Sequence, residues 1–172
     1  GEVAVPGTYM LSSLSTVFHA LYRAGGVNNI GSLRSIRVMR GSNCIADLDV
    51  YDYILKGKLL DDIRLMEGDV IIVPPYEKLV DISGKVKRPM YYEMKKNETL
   101  ATLIKYAGGF SGDAYTKGVR LVRQSGREYK LFNIDEMDYS VFHLDDGDAV
   151  TVGSILDRFE NRVEVRGAVY RS

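Results

Sequence analysis

Apolar and polar residues alternate at several places along the chain, and each alternating stretch is bounded by Gly, Pro or Asp. Val80, Ile82, Gly84 and Val86 alternate with polar neighbours, the period of a strand with one buried face. Pro6-Gly7 and Pro89-Met90 then turn the chain into a second short strand ending near Tyr9 or Tyr92. A helical pattern follows in each case. In the first, Ser13 is the expected cap, Leu14, Val17, Phe18 and Leu21 form the apolar stripe, and Gly25 ends it. In the second, Asn97 caps, Glu98 favours the N-terminal dipole, and Leu100, Leu103 and Ile104 face inward before Gly108. About 11 residues at ~1.5 Å each predict roughly 16 Å of helix.

A third strand is predicted where Ile36 and Val38 alternate with Arg37 and Met39, and again where Val119 and Leu121 alternate with Arg120 and Val122. A weaker fourth, near Ala46–Val50 or Tyr129–Asn133, runs into an irregular stretch. A Gly-Asp turn then launches Val70–Val73 or Ala149–Val152.

The pairing of these stretches reflects an internal repeat. A shift of 83 residues places Gly1, Val3, Pro6, Tyr9 and Thr16 on identical residues, and likewise Ala24-Gly25-Gly26, Arg37, Arg40, Ser42, Leu48 and Asp52. These are 13 identities in the first 53 pairs, against about 3 or 4 from ordinary residue frequencies. After a four-residue contraction, Glu67-Gly68-Asp69 falls on Asp146-Gly147-Asp148, and the original shift then places Gly84-Lys85-Val86 on Gly167-Ala168-Val169. The repeat is real, and the expected division is 1–79, 80–161, and the first strand of a third unit at 162–172. Units of about 80 residues bury only ~60–65% of their unfolded surface, so neighbours are expected to brace each other.

Composition narrows the function. The 172 residues carry 23 Lys+Arg and 23 Asp+Glu, without the basic excess of a nucleic-acid binder. Hydrophobic residues at 45% and charged residues at 27% are globular values that argue against disorder. Apolar runs are far shorter than the ~20 residues of a spanning helix. Cys44 is the single cysteine, which excludes an intrachain disulfide and a cysteine-based zinc site.

Order and wording together resemble the SLBB domain, a soluble-ligand-binding β-grasp variant of the ubiquitin-like fold. The phrases carrying it are GEVAVPGTYML, ALYRAGGV and MEGDVIIVPP in unit one; ISGKVKRPMYYEM, LIKYAGGF and LDDGDAVTV in unit two; and VEVRGAV opening a third. Met90 replaces the usual Gly after Pro89, and Gly153 stands where unit one has Pro74. The resemblance implies an α+β fold of tandem β-grasp units, each a mixed sheet on one short helix. It also implies a non-catalytic, periplasmic segment of an outer-membrane polysaccharide export protein. Its partners would be further SLBB units or copies of itself, a polysaccharide, or an inner-membrane export protein. The other reading is an oligosaccharide-binding module outside any transporter. The export domain that normally precedes such repeats is not within this chain. The register of the ends suggests a piece of a longer array, with 163–169 either filling the open sheet edge of unit one or pairing with another molecule.

No cofactor, metal site or catalytic group is expected. Gly108-Gly109-Phe110-Ser111-Gly112 closes a helix rather than opening one, so it reads as a C-terminal cap and not a phosphate cradle. His19 and His143 lack partners at ligand spacing. Asp145, Asp146 and Asp148 lack the spacing of a calcium loop and read as a turn. Two features carry a binding expectation. Arg37 and Arg120, followed by Arg40 and Arg123, recur at one place in both units, where an exposed guanidinium could hold an anionic sugar or a carboxylate. The chain also has 12 Tyr and no Trp, with Tyr115 a candidate contact for sugar or partner.

Overall fold

The computed structural model describes residues 1–57 and 63–155. In chain order the elements are α1 (Val17–Arg23), β1 (Ile36–Arg40), β2 (Asn43–Leu48), α2 (Val50–Lys56) and β3 (Val70–Ile72), then β4 (Leu79–Gly84), β5 (Met90–Glu93), α3 (Leu100–Tyr106), β6 (Gly118–Ser125), β7 (Glu128–Asp135) and β8 (Ala149–Val152). A single 3-10 turn, Glu136–Asp138, follows β7.

Both long-predicted helices are shorter than expected and start later. The caps are Thr16 and Thr99, with extended φ of −113° and −117°, not Ser13 and Asn97. Each helix has seven residues. Leu14 therefore lies outside α1 and is exposed, while Val17 and Leu21 are buried. Glu98 precedes the cap of α3 and has a different task, described below. After each helix the chain reverses through glycine pairs in the left-handed region: Gly25 and Gly108 both have φ of +80°. A Cβ on Gly25 would meet that of Ala4 at 3.0 Å, and one on Gly108 would meet that of Lys87 at 3.2 Å. Ala4 and Lys87 are one shift apart, so the two glycines occupy the same environment.

Unit two is a five-stranded sheet in the order β5-β4-β8-β6-β7. β4 runs parallel to β8, and every other pairing is antiparallel. The parallel first and last strands, with one helix on the sheet, make this the expected mixed β-grasp arrangement. Val80, Ile82, Leu100, Leu103, Leu121, Val150 and Val152 fill the space between.

Unit one repeats the half of this sheet that can be compared. Its order β2-β1-β3 corresponds to β7-β6-β8. Its core is Val17, Leu21, Ile36, Val38, Leu48, Val50 and Val73. The short strand expected to end near Tyr9 is not formed among the described residues, and the segment before α1 makes an isolated bridge, Val3 to Val27. In unit two the strand beside β8 is residues 79–84, whose counterparts under the shift mostly precede Gly1. The backbone hydrogen bonds around it are nevertheless repeated. Glu2 N–H donates to Val73 O at 2.8 Å, as Lys85 N–H does to Val152 O at 3.0 Å. Tyr9 donates its hydroxyl to Val5 O, and Tyr92 to Arg88 O.

One element was not foreseen. The stretch after β2, read as irregular, holds α2. Asp49 caps it by accepting from Tyr51 N–H at 3.0 Å, and Gly57 ends it at φ +63°. The segment 163–169, assigned to a third unit, lies outside the described residues.

Candidate functional site: the seam between the units

Arg34 lies in the loop leading into β1 and is buried, its side chain 3% exposed. All of its donors are engaged in one direction or another. Nε reaches both oxygens of Asp49 at 2.9 and 3.0 Å. Nη1 and Nη2 form a fork onto Glu98 at 3.0 and 2.8 Å. Nη1 also donates to the backbone oxygen of Glu93 at 2.9 Å, and Nη2 to the Tyr106 hydroxyl at 3.3 Å. The guanidinium sits 4.4 Å from the Tyr51 ring centre and 5.4 Å from that of Tyr106. A planar, delocalised cation with five directed donors suits a site of two carboxylates and two aromatic rings.

Asp49 and Tyr51 belong to unit one; Glu93, Glu98 and Tyr106 belong to unit two. Arg34 therefore bridges the repeats. Around it, the Ser32 hydroxyl donates to Glu93 Oε1 at 2.5 Å and Leu33 N–H to Oε2 at 2.8 Å. Glu93 N–H donates to the Tyr51 hydroxyl at 2.8 Å, and Lys95 Nζ pairs with Asp49 at 2.7 Å. Leu33 and Leu55 pack against the core of unit two, and the Tyr51 and Tyr106 rings meet edge to face at 5.4 Å.

The electrostatics follow from this geometry. Burial alone would lower the Arg34 pKa, but hydrogen bonds and attraction from Glu98 and Asp49 raise it above the ordinary arginine value. Burial would raise Glu98, yet Arg34, Tyr106 and the Lys95 N–H hold it below the usual carboxylate value. The Tyr51 hydroxyl is raised, chiefly by burial. The Tyr106 hydroxyl is raised by burial and then by Glu98.

A second ion pair is internal to each unit and repeats. Arg40 grips Asp69 through Nε and Nη2, both at 2.8 Å. Arg123 grips Asp148 at 2.8 and 2.7 Å. Each aspartate also accepts a backbone N–H, from Met66 or Asp145, so the pair ties β1 or β6 to the Gly-Asp turn. The hydrogen bond from Arg40 outweighs burial and brings Asp69 down to about 2.

The residues expected to bind a ligand stand as follows. Arg37 and Arg120 are exposed on β1 and β6 and make no ion pair or side-chain hydrogen bond among the described residues. Arg123 is engaged by Asp148, by Asp145 at 2.9 Å and by the His143 carbonyl. Tyr115 is 48% exposed. No hydrogen bond or ring contact joins any two of these four among the described residues. His19 Nδ1 accepts from Thr16 N–H at 3.2 Å and closes the cap of α1. Asp146 accepts from Leu79 N–H at 2.7 Å, and Asp145 lies by Lys78 and Arg123. Among the described residues, no helix is long and apolar enough to cross a membrane.

The seam itself was missed. Its one signal lay in the mismatches of the repeat: Arg34 falls on Lys117, Glu93 on Met10, Glu98 on Ser15 and Tyr106 on Arg23.

Comparison with known proteins agrees with the repeat. Residues 1–73 and 79–132 each match an SLBB domain model. Two curated relatives, both polysialic acid transport protein KpsD of Escherichia coli, are 26% identical over 168 residues, which is 96% of this chain. The chain spans 29% of the length of those relatives. With SLBB domains matched one after the other over most of its length, the chain belongs to the SLBB family as a tandem pair.

Proposed function

We propose that the pair is a non-catalytic segment of a bacterial polysaccharide export protein, periplasmic and associated with the outer membrane. There it serves as a rigid spacer and packing surface along the polymer path. We keep 1–79 and 80–161 as the working boundaries of the two units. The observation that carries this reading is the seam: a buried arginine shared by acceptors of both units fixes one domain on the next, as a structural segment requires. The curated relatives, named as polysialic acid transport proteins, support the export setting. Self-association or packing on further SLBB units, and contact with an inner-membrane export partner, belong to the same reading.

Surface polysaccharide should be measured in cells lacking the full-length protein and complemented with it, with an internal deletion of residues 1–155, or with Arg34→Ala. Loss of surface polymer in the deletion, and a partial loss with Arg34→Ala at equal protein abundance, are expected. Unchanged surface polymer in the deletion would contradict the reading.

A further inference from the structure

Beside Arg34 the seam leaves a cleft of about 180 Å³, lined among others by Asn28, Asn29, Tyr51, Tyr76, Tyr91 and Glu93. We propose that this cleft is a subsite for one neutral hexose ring of an oligosaccharide. The choice of a saccharide rests on the export reading above; the size, polarity and charge of the cleft do not.

The volume is below the ~300–1,000 Å³ of pockets for drug-sized ligands, and equals about six waters at ~30 Å³ each. That is room for a single sugar ring and not for a nucleotide or a large cofactor. Tyr76 and Tyr91 supply apolar rings with polar edges, the surface that matches the alternating C–H and O–H faces of a pyranose, while the buried Tyr51 ring is already covered by Arg34. Tyr91 alternates with buried Tyr92 on β5 and is 64% exposed, so its ring meets solvent where it lines the cleft.

The polar groups are fixed before any ligand arrives. Asn28 donates to Glu2 at 2.9 Å and accepts from Ile30 N–H at 3.1 Å. Tyr76 N–H donates to Ile30 O at 2.9 Å, which ties the segment between the units to the same loop. Each Glu93 oxygen accepts one bond from Ser32 or Leu33 and keeps capacity for a sugar hydroxyl. Preformed acceptors of this kind lower the ordering cost of a weak ligand.

Charge sets the selectivity. Among the described residues no Lys or Arg lines the cleft, while Glu93 does, 7% exposed. A sugar carboxylate placed there meets a buried like charge with no cation lining the cleft to balance it, which disfavours an acidic sugar. These residues are not repeated in the first unit: Tyr91 and Glu93 fall on Thr8 and Met10.

The test titrates the ¹⁵N-labelled 172-residue protein with four neutral probes, maltotriose, cellotriose, mannotriose and galactotriose, and with α2,8-linked trisialic acid. At least one neutral trisaccharide is expected to shift the Asn28, Asn29 and Gly31 amides saturably, with millimolar affinity. Tyr91→Ala, on an exposed ring, should keep the thermal midpoint and weaken that binding about tenfold. Trisialic acid should leave those amides in place. Silence towards all four neutral probes at about 20 mM, an equal response to trisialic acid, or undiminished binding by Tyr91→Ala would each overturn the proposal. A silent cleft in a protein whose tandem is still needed for surface polymer removes the subsite alone. A responsive cleft in a tandem that export does not need removes the export reading alone.

Discussion

Arg34 and Lys117 stand at the same position of the two units, one shift apart, and do opposite things. Arg34 is buried and holds acceptors on both sides of the seam. Lys117 is an exposed side chain paired with Glu136, itself half exposed. The acceptor side differs in the same way, with Glu93 and Glu98 in one unit against Met10 and Ser15 in the other. Arg40 and Arg123, by contrast, are matched and make the same grip on Asp69 and Asp148. Positions that agree between the units build the fold; positions that disagree build the joint. A repeat search weights the first kind and discards the second.

The largest effect separating these two classes should come from Arg34→Ala. It leaves Glu98 largely buried without its cation and Asp49 with Lys95 alone, which costs about 3–5 kcal/mol. Lys117→Ala should fall within ~0.5 kcal/mol, as exposed substitutions do. Thermal or urea unfolding of both variants measures the contrast, and equal losses would break it. Next in size, Asp148→Ala removes the buried partner of Arg123 and of Asp145 N–H, at about 2–3 kcal/mol. Asp69→Ala should act in the same direction and less, because Arg40 is the more exposed of the two arginines. Tyr51→Phe removes the acceptor for Glu93 N–H and should cost ~1.5 kcal/mol, read from the same unfolding curves.

Acid titration sharpens the comparison further. Glu98 and Asp69 both have folded pKa values below their ordinary ones, 4.5 for Glu98 and 3.8 falling to about 2 for Asp69. Depressed carboxylates contribute stability that is present above the unfolded pKa and is lost as pH falls through the folded value. The thermal midpoint of the wild-type protein should therefore drop between about pH 4.5 and pH 2. In Arg34→Ala the Glu98 share of that drop should vanish, because burial without the cation favours the protonated carboxyl. A variant with the full wild-type pH slope would show that Glu98 does not depend on Arg34.

The sequence carried most of unit two and the repeat itself, for a plain reason. Strand alternation at Val80–Val86 and Val119–Leu121 and the glycines after each helix are local signals, and the shift of 83 doubled each of them. The helix starts do carry a signal: Thr16 and Thr99 are identical under the shift, and a Thr just before an apolar stripe is a preferred cap. Helix α2 was hidden because Val50, Tyr51, Ile54 and Leu55 follow a strand directly; Asp49 and Gly57 were its local signals. Arg34 had no local signal. A buried charge in a loop shows no period, and its partner Glu98 lies 64 residues away. The cleft tyrosines are likewise spread over both units and share no local pattern, whereas the binding candidates legible in the sequence are the repeated Arg37, Arg120 and Arg123 together with Tyr115.

Arg34 is expected to hold the two units in one fixed orientation. Residual dipolar couplings measured on amides of β1–β3 and of β4–β8 test it directly. One alignment tensor should fit both sets in the wild-type protein, and two tensors of different magnitude should be needed in Arg34→Ala. Two independent tensors in the wild-type protein would contradict the account.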